Sequence, residues 1–150
     1  MKLSPGKLKF GINIFPPYLG AGIKVKHISD DWRETHVEMK LRWYNRNFVG
    51  THFGGSLYSM VDPHLMLMLI QILGKEFIVW DKSAIIHFIK PGKSIVKSVI
   101  KISENDLVEI KKKTLNGQKY LPEFNIRITD ENGDTVAEVK KVLYIRKNQS

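Results

Sequence analysis

Apolar and polar residues alternate with a period of two over most of this chain. Ile23 and Val25 alternate with Lys24 and Lys26. Thr35, Val37, Met39, Leu41 and Trp43 alternate with Glu34, His36, Glu38, Lys40 and Arg42. Such alternation predicts strands with one buried face, here a pair joined near Asp30-Asp31. The same pattern returns after Gly74. Residues 77–80 and 84–88 read as one strand or two joined at Asp81, with a turn at Pro91-Gly92. Residues 94–102, 108–114, 120–129 and 135–146 read as further strands. Glu104-Asn105-Asp106 reads as a turn, and Asn116-Gly117 and Asn132-Gly133 as hairpins. One segment breaks the pattern: from Leu65 to Leu73 nearly every residue is apolar, with Gln71 the exception. A helix apolar on all sides is buried on all sides, and Gly74 reads as its left-handed C-terminal glycine. The economical arrangement is α+β, a curled antiparallel sheet wrapped around one long central helix. Its exposed face and edges invite a second copy.

Residues 1–22 lack the alternation but carry Leu3, Leu8, Phe10, Ile12, Ile14 and Phe15. They read as an irregular or helical extension packed on the domain or a partner, ended by Pro16-Pro17, Gly20 and Gly22. A chain of 150 residues fits a single domain over 1–150 and can bury roughly 70% of its unfolded surface.

Composition narrows the chemistry. There are no cysteines, which excludes disulfides, thiolate metal sites and a cysteine nucleophile, and fits a reducing cytoplasm. The N-terminus lacks the apolar core of a secretion signal. No apolar run reaches the ~18 residues of a membrane span, so a cytoplasmic protein without a membrane partner is expected. The net charge of +9 attracts polyanions. It is spread along the chain, with Lys111-Lys112-Lys113 the only run of three. Nucleic acid is therefore not the expected partner, whereas a phosphorylated ligand is compatible. No set of histidines and acids has metal-ligand spacing, so no metal is expected.

The candidate chemistry gathers in NRNFVGTHFGGSLYSMVDPH, residues 45–64, which leads into the apolar helix. Amides at a helix start are unpaired and carry the positive end of the dipole. Glycine lets a carbonyl approach them without a Cβ in the way. Gly54 and Gly55 are thus candidates for an oxyanion cradle, or simply for a helix-entry turn. Asp62, about two turns on, is a candidate base or nucleophile. Because Pro63 follows, Asp62 also reads as an N-cap with a first-turn proline. A partly desolvated Asp62 would have a raised pKa. Asn47 is either a positioning group or a loop hydrogen bonder. His52, Phe53 and Ser56 are accessory candidates, and His52 also reads as a structural histidine. His27, His36, His64 and His87 read as packing or surface groups. Met60, Met66 and Met68 read as core, or as an adaptable wall for an acyl chain. Trp80-Asp81-Lys82 interrupts a strand, and Asp81 and Lys82 could pair or line the pocket. Lys90, Lys93 and Lys82 are candidates for holding phosphates by charge.

The run from Asn47 through Gly54-Gly55 to Asp62 resembles the motif of hotdog-fold acyl-CoA thioesterases of the phenylacetate-pathway type. The runs NIFPPYLGAGIKV, GTHFGGSLYSMVDPHLML, VWDKSAIIHFIKPG and VAEVKKVLYIRK are similar to a poorly characterised bacterial branch of that superfamily. The resemblance covers most of the chain. It implies the hotdog fold and hydrolysis of an acyl thioester, carried by coenzyme A or acyl carrier protein, to acid and thiol without a cofactor. It also implies a homo-oligomer, a dimer or dimer of dimers. In such an assembly the carboxylate and the oxyanion cradle come from different subunits. The chain departs from the motif at one point: Phe53 stands where the family has His, and His52 lies one residue earlier. In extended backbone that shift turns a side chain to the opposite face. Two alternatives follow. One is a non-catalytic acyl-thioester binding module. The other is a dehydratase acting on 3-hydroxyacyl thioesters through His52, although the ten residues from His52 to Asp62 are fewer than that family uses.

Overall fold

Antiparallel strands wrap the apolar helix in a computed structural model that describes residues 2–149. The strands are β1 (Ile23–Ile28), β2 (Glu34–Met39), β3 (Phe77–Phe88), β4 (Val96–Lys101), β5 (Lys119–Tyr120), β6 (Glu123–Asp130) and β7 (Thr135–Lys147). The sheet order is β1-β2-β4-β6-β7-β3, with the short β5 also pairing β7. The sheet is open, and β1 and β3 are its edges. Inward residues such as Val25, Val37, Ile100, Ile128, Val139 and Leu143 join Leu65, Met68 and Leu69 of the helix in one buried apolar cluster. Period-two patterning has therefore placed the sheet's apolar face against the helix, as expected.

The central helix comes in two pieces, α3 (Gly54–Ser59) and α4 (His64–Leu73), separated by a turn over 60–63. Pro63 has no amide hydrogen, so the break falls there. Taken together, Gly54–Leu73 spans 20 residues and contains an 18-residue window of mean hydropathy 1.3, which does reach membrane-span length, contrary to expectation; half of that window is buried in the fold, as in a core helix. Gly74 ends α4 with the positive φ that favours glycine, 77°, but its ψ of −170° lies outside the expected left-handed turn.

Two further departures concern helices. The N-terminal extension forms α1 (Pro5–Asn13) and α2 (Pro16–Ala21). Pro16-Pro17 begins α2 rather than ending the segment, because a missing amide costs nothing in a first turn. Asn13 fixes α1 to β1, accepting from the Val25 amide at 2.8 Å and donating to its carbonyl at 3.0 Å. The segment expected as a strand over 108–114 is instead α5 (Glu104–Lys113). Ser103 and Asp106 form a capping box, Glu104 and Asp106 sit in the first turn, and Lys111, Lys112 and Lys113 sit in the last. Each charge complements the helix dipole. Asn116-Gly117 consequently leads out of a helix: the Gly117 amide bonds Thr114 O at 3.0 Å, with φ 72°. Asn132-Gly133 is the β6–β7 turn that its sequence predicts. β3 is one continuous strand, with an irregularity between Asp81 and Ser83. β2 stops at Met39 rather than running on to Trp43. The Asn45 side chain bonds Lys40 O, Ala21 O and the Arg42 amide, which turns the chain away from the sheet.

Candidate active site

The loop leading into α3 is built by its own side chains. Asn47 Oδ1 accepts from the Val49 amide at 3.1 Å and the Thr51 amide at 3.0 Å. Its Nδ2 donates to Thr51 Oγ1 at 2.9 Å and to His52 O at 3.4 Å. Every polar atom of the Asn47 amide thus serves the loop. The His52 amide then donates to Gly92 O at 2.9 Å, tying the loop to the segment after β3. The His52 ring is 3% exposed, and Nε2 lies 2.6 Å from Ser94 O. A carbonyl only accepts, so Nε2 carries the proton. Nδ1 is buried without a protein partner. Burial pulls the His52 pKa below its ordinary value, and the Ser94 carbonyl opposes this. His52 is therefore a neutral ring pinned inside the fold, while Phe53 stands 57% exposed.

Gly54 opens α3 at a cleft of about 400 Å³, lined also by Asn47, His52, Leu57, Phe88 and Lys90. A Cβ on Gly54 would lie 3.0 Å from the Phe88 ring, and one on Gly55 would lie 2.7 Å from the Phe53 ring. Both glycines thus allow aromatic rings to close over the helix start. Ser56 is buried, and its amide bonds Phe53 O at 3.0 Å. Lys90 borders the cleft, but its ammonium pairs with Asp130 at 2.7 Å and Asp134 at 2.9 Å. Lys93 and Lys82 are exposed. Among the candidates, then, Asn47, His52, Gly54 and Lys90 share one cleft.

Asp62 does not line that cleft within one chain. It occupies the break between α3 and α4, where α4 has no side-chain cap, so the N-cap role does not hold. Its Oδ1 accepts instead from the Tyr58 hydroxyl at 2.7 Å and from Lys141 Nζ at 2.9 Å. The same ammonium binds the Asp62 main-chain carbonyl and lies 3.1 Å from Asp81 Oδ1. Lys141 is 0% exposed, whereas the Asp62 side chain is 44% exposed. Burial alone would raise the Asp62 pKa. The Lys141 ammonium and the Tyr58 hydroxyl outweigh it and hold the carboxyl below its ordinary value. This reverses the expected direction. Asp81 goes the other way: burial raises it, and Lys141 only partly compensates. The Tyr58 hydroxyl is pushed up by burial and by Asp62.

Lys141, Tyr58 and the pairing of Asp81 with Lys141 are the site features that sequence reasoning missed. Strand parity carried a signal for Lys141. It shares the inward face of β7 with Ala137, Val139 and Leu143, and a lysine on an apolar face needs a carboxylate. Of the partners open to Asp81, the structure supplies Lys141 on β7, while its neighbour Lys82 is exposed. Among the described residues, no three His, Asp or Glu side chains converge as metal ligands.

The sheet wrapped on its helix is the hotdog fold, and solved structures bear this out. A Pseudomonas aeruginosa protein of unknown function, named as a probable thioesterase, superposes with TM-score 0.86 at 15% identity over 99% of both chains. A Chlorobaculum tepidum protein of unknown function superposes with TM-score 0.75 at 17% identity, covering 98% of this chain and 99% of its own. A thioesterase from Haemophilus influenzae gives 0.70 at 12% identity, covering 98% of this chain and 93% of its own. At such identities the likeness establishes the fold alone. No curated relative matches the sequence. Residues 8–145 match the family model described as a domain of unknown function, DUF4442, and the chain belongs to that family.

Proposed function

We propose that this protein is a cytoplasmic acyl-thioester hydrolase that converts an acyl-CoA, or an acyl carrier protein thioester, into free acid and thiol without a cofactor. The observation that carries this reading is Asp62: a half-exposed carboxylate held in its charged form at the break of the central helix. The Gly54 and Gly55 amides donate to the carbonyl oxygen as it becomes an oxyanion, an effect of roughly 3–4 kcal/mol per good donor. Asp62 activates water or attacks the thioester carbon. Leu57 and Phe88 provide apolar wall for the acyl group, while Asn47 and His52 hold the loop that shapes the cleft. Lys93 and Lys82, which are exposed, supply positive charge for phosphates, whereas Lys90 at the rim is already paired with Asp130 and Asp134.

Because Asp62 does not line the Gly54 cleft within one chain, the working site takes two copies, with the carboxylate of one facing the cleft of the other. The edge strand β3 supports such pairing. Trp80 (49%), Ile85 (56%) and Phe88 (58%) are exposed along it. The resulting homodimer can pair again into a tetramer. The buried, carbonyl-bound His52 argues against the dehydratase alternative, which needs that ring at the substrate. Non-catalytic thioester binding keeps one specific support, Phe53 at the family's histidine position. The deciding experiment follows thiol release from short, long and aromatic acyl-CoAs. Release from any of them supports the hydrolase, whereas binding without release supports the binding module.

A further inference from the structure

One buried ammonium lies between two carboxylates. Lys141 projects from β7 into the core side of the sheet and is wholly buried. It meets Asp62 Oδ1 at 2.9 Å and Asp81 Oδ1 at 3.1 Å, and it also binds the Asp62 main-chain carbonyl. Its Nζ stands 5.7 Å from the centre of the Tyr58 ring, whose hydroxyl donates to the same Oδ1 of Asp62 at 2.7 Å. A structural ion pair needs only one carboxylate; here a second one faces the same cation. Holding both the carbonyl and the carboxylate of Asp62 fixes that residue's main chain and side chain together. Both side-chain bonds fall on Oδ1, while the side chain remains 44% exposed. Oδ2 is therefore the oxygen left to face solvent.

Resting on the hydrolase reading, we propose that Lys141 is the positioning residue of the site: it clamps Asp62 through Oδ1 and the main-chain carbonyl so that Oδ2 meets the attacking water, while Asp81 balances its second flank. In the reaction, Oδ2 takes a proton from water as the water oxygen bonds to the thioester carbon. The carbon–sulfur bond then breaks, and the proton passes from Asp62 to the departing sulfur. Acid and thiol are the only products, and Asp62 returns to its starting state.

The groups facing Asp62 come from every element around it: Lys141 on β7, Asp81 on β3, Tyr58 on α3, His64 on α4 and Tyr18 on α2. Only Lys141 is a fixed cation. Its removal exposes Asp62 to Asp81 without compensation, so Asp62 holds its proton to higher pH. An opposite charge at this range is worth roughly one to three pH units.

The test compares wild type, Lys141→Met, Lys141→Arg and the doubly substituted Lys141→Met/Asp81→Asn. The double variant avoids leaving a surplus buried carboxylate and is the folded fallback. Readouts are the pH profile of thiol release, the separate kcat and KM values, and a ¹³C titration of the Asp62 carboxyl, which does not depend on turnover. The clamp predicts that both Met variants lose at least tenfold in kcat with little change in KM. Their acid limb and the Asp62 titration should move up together by about one unit or more. Lys141→Arg should restore the limb but only part of kcat, because its planar fork replaces a point charge. If the double variant keeps the wild-type kcat, acid limb and Asp62 titration, Lys141 is only structural and the inference is overturned while the hydrolase reading stands. If wild type releases no thiol from any acyl-CoA, the hydrolase reading falls and takes this inference with it.

Discussion

Replacing His64 with glutamine separates the acid sensitivity of this fold from its general stability. His64 is 2% exposed in the first turn of α4, and its Nε2 lies 2.9 Å from the Tyr18 hydroxyl. Through this contact it joins the N-terminal helices to the core helix. Burial drives its pKa down from 6.5 to about 4, with Lys141 pushing the same way and the Met60 carbonyl and Asp62 opposing. The native value lies below the unfolded one, so the native state binds the proton less well. Stability is therefore intact above about pH 6.5 and falls as pH drops from there toward 4. The rate of loss is ~1.4 kcal/mol per pH unit, and the total is roughly 3 kcal/mol. His64→Gln removes the titrating group and retains an amide that can bond Tyr18. The assay is urea unfolding followed by tryptophan fluorescence, from pH 7.5 to 4.5, for both proteins. Other titrating groups are common to the two and cancel in the difference. The variant starts less stable at pH 7.5, and the gap closes by about 2–3 kcal/mol between pH 6.5 and 4.5. Parallel curves would refute the claim that His64 is held neutral by burial.

Ser103→Ala removes the hydroxyl that accepts from the Asp106 amide at 3.0 Å. Thermal unfolding should show a loss of about 1 kcal/mol, and no loss would mean that α5 stands without its capping box. Gly54→Ala puts a methyl 3.0 Å from the Phe88 ring. The Phe88 ring must give way to it, and KM for an acyl-CoA rises; an unchanged KM would remove the Gly54 cleft from substrate binding. Ile85→Lys charges the exposed edge strand β3. Sedimentation should show monomer, with thiol release lost, and an intact oligomer would take β3 out of the interface.

The sheet was legible because alternation along Ile23–Ile28, Glu34–Met39 and Thr135–Lys147 is a local record of which face is buried. α5 was misread for the same reason. Val108, Ile110 and Lys111–Lys113 imitate a strand, but Leu107, Ile110 and Thr114 are buried at helical spacing and the cap at Ser103 begins a helix. The end of β2 depends on three bonds from one asparagine, Asn45, which no periodicity reports. The candidate loop was legible as a helix entrance, and Gly54, Asn47 and His52 do share its cleft. The electrostatics of Asp62 were not. Burial argued for a raised pKa, but the deciding cation, Lys141, is 79 residues away along the chain. Only the packing of the sheet on the helix brings it within hydrogen-bonding range. Parity could have placed Lys141 on the inner face but could not name its partner.

Thiol release from acyl-CoA by wild type and by Asp62→Asn tests the central claim most directly, with folding and oligomeric state matched by circular dichroism and sedimentation. The account predicts turnover by wild type and a loss of roughly a hundredfold or more in the variant, the range for removing a base or nucleophile. Equal rates in the two proteins would contradict it, because Asp62 would then have no part in the chemistry.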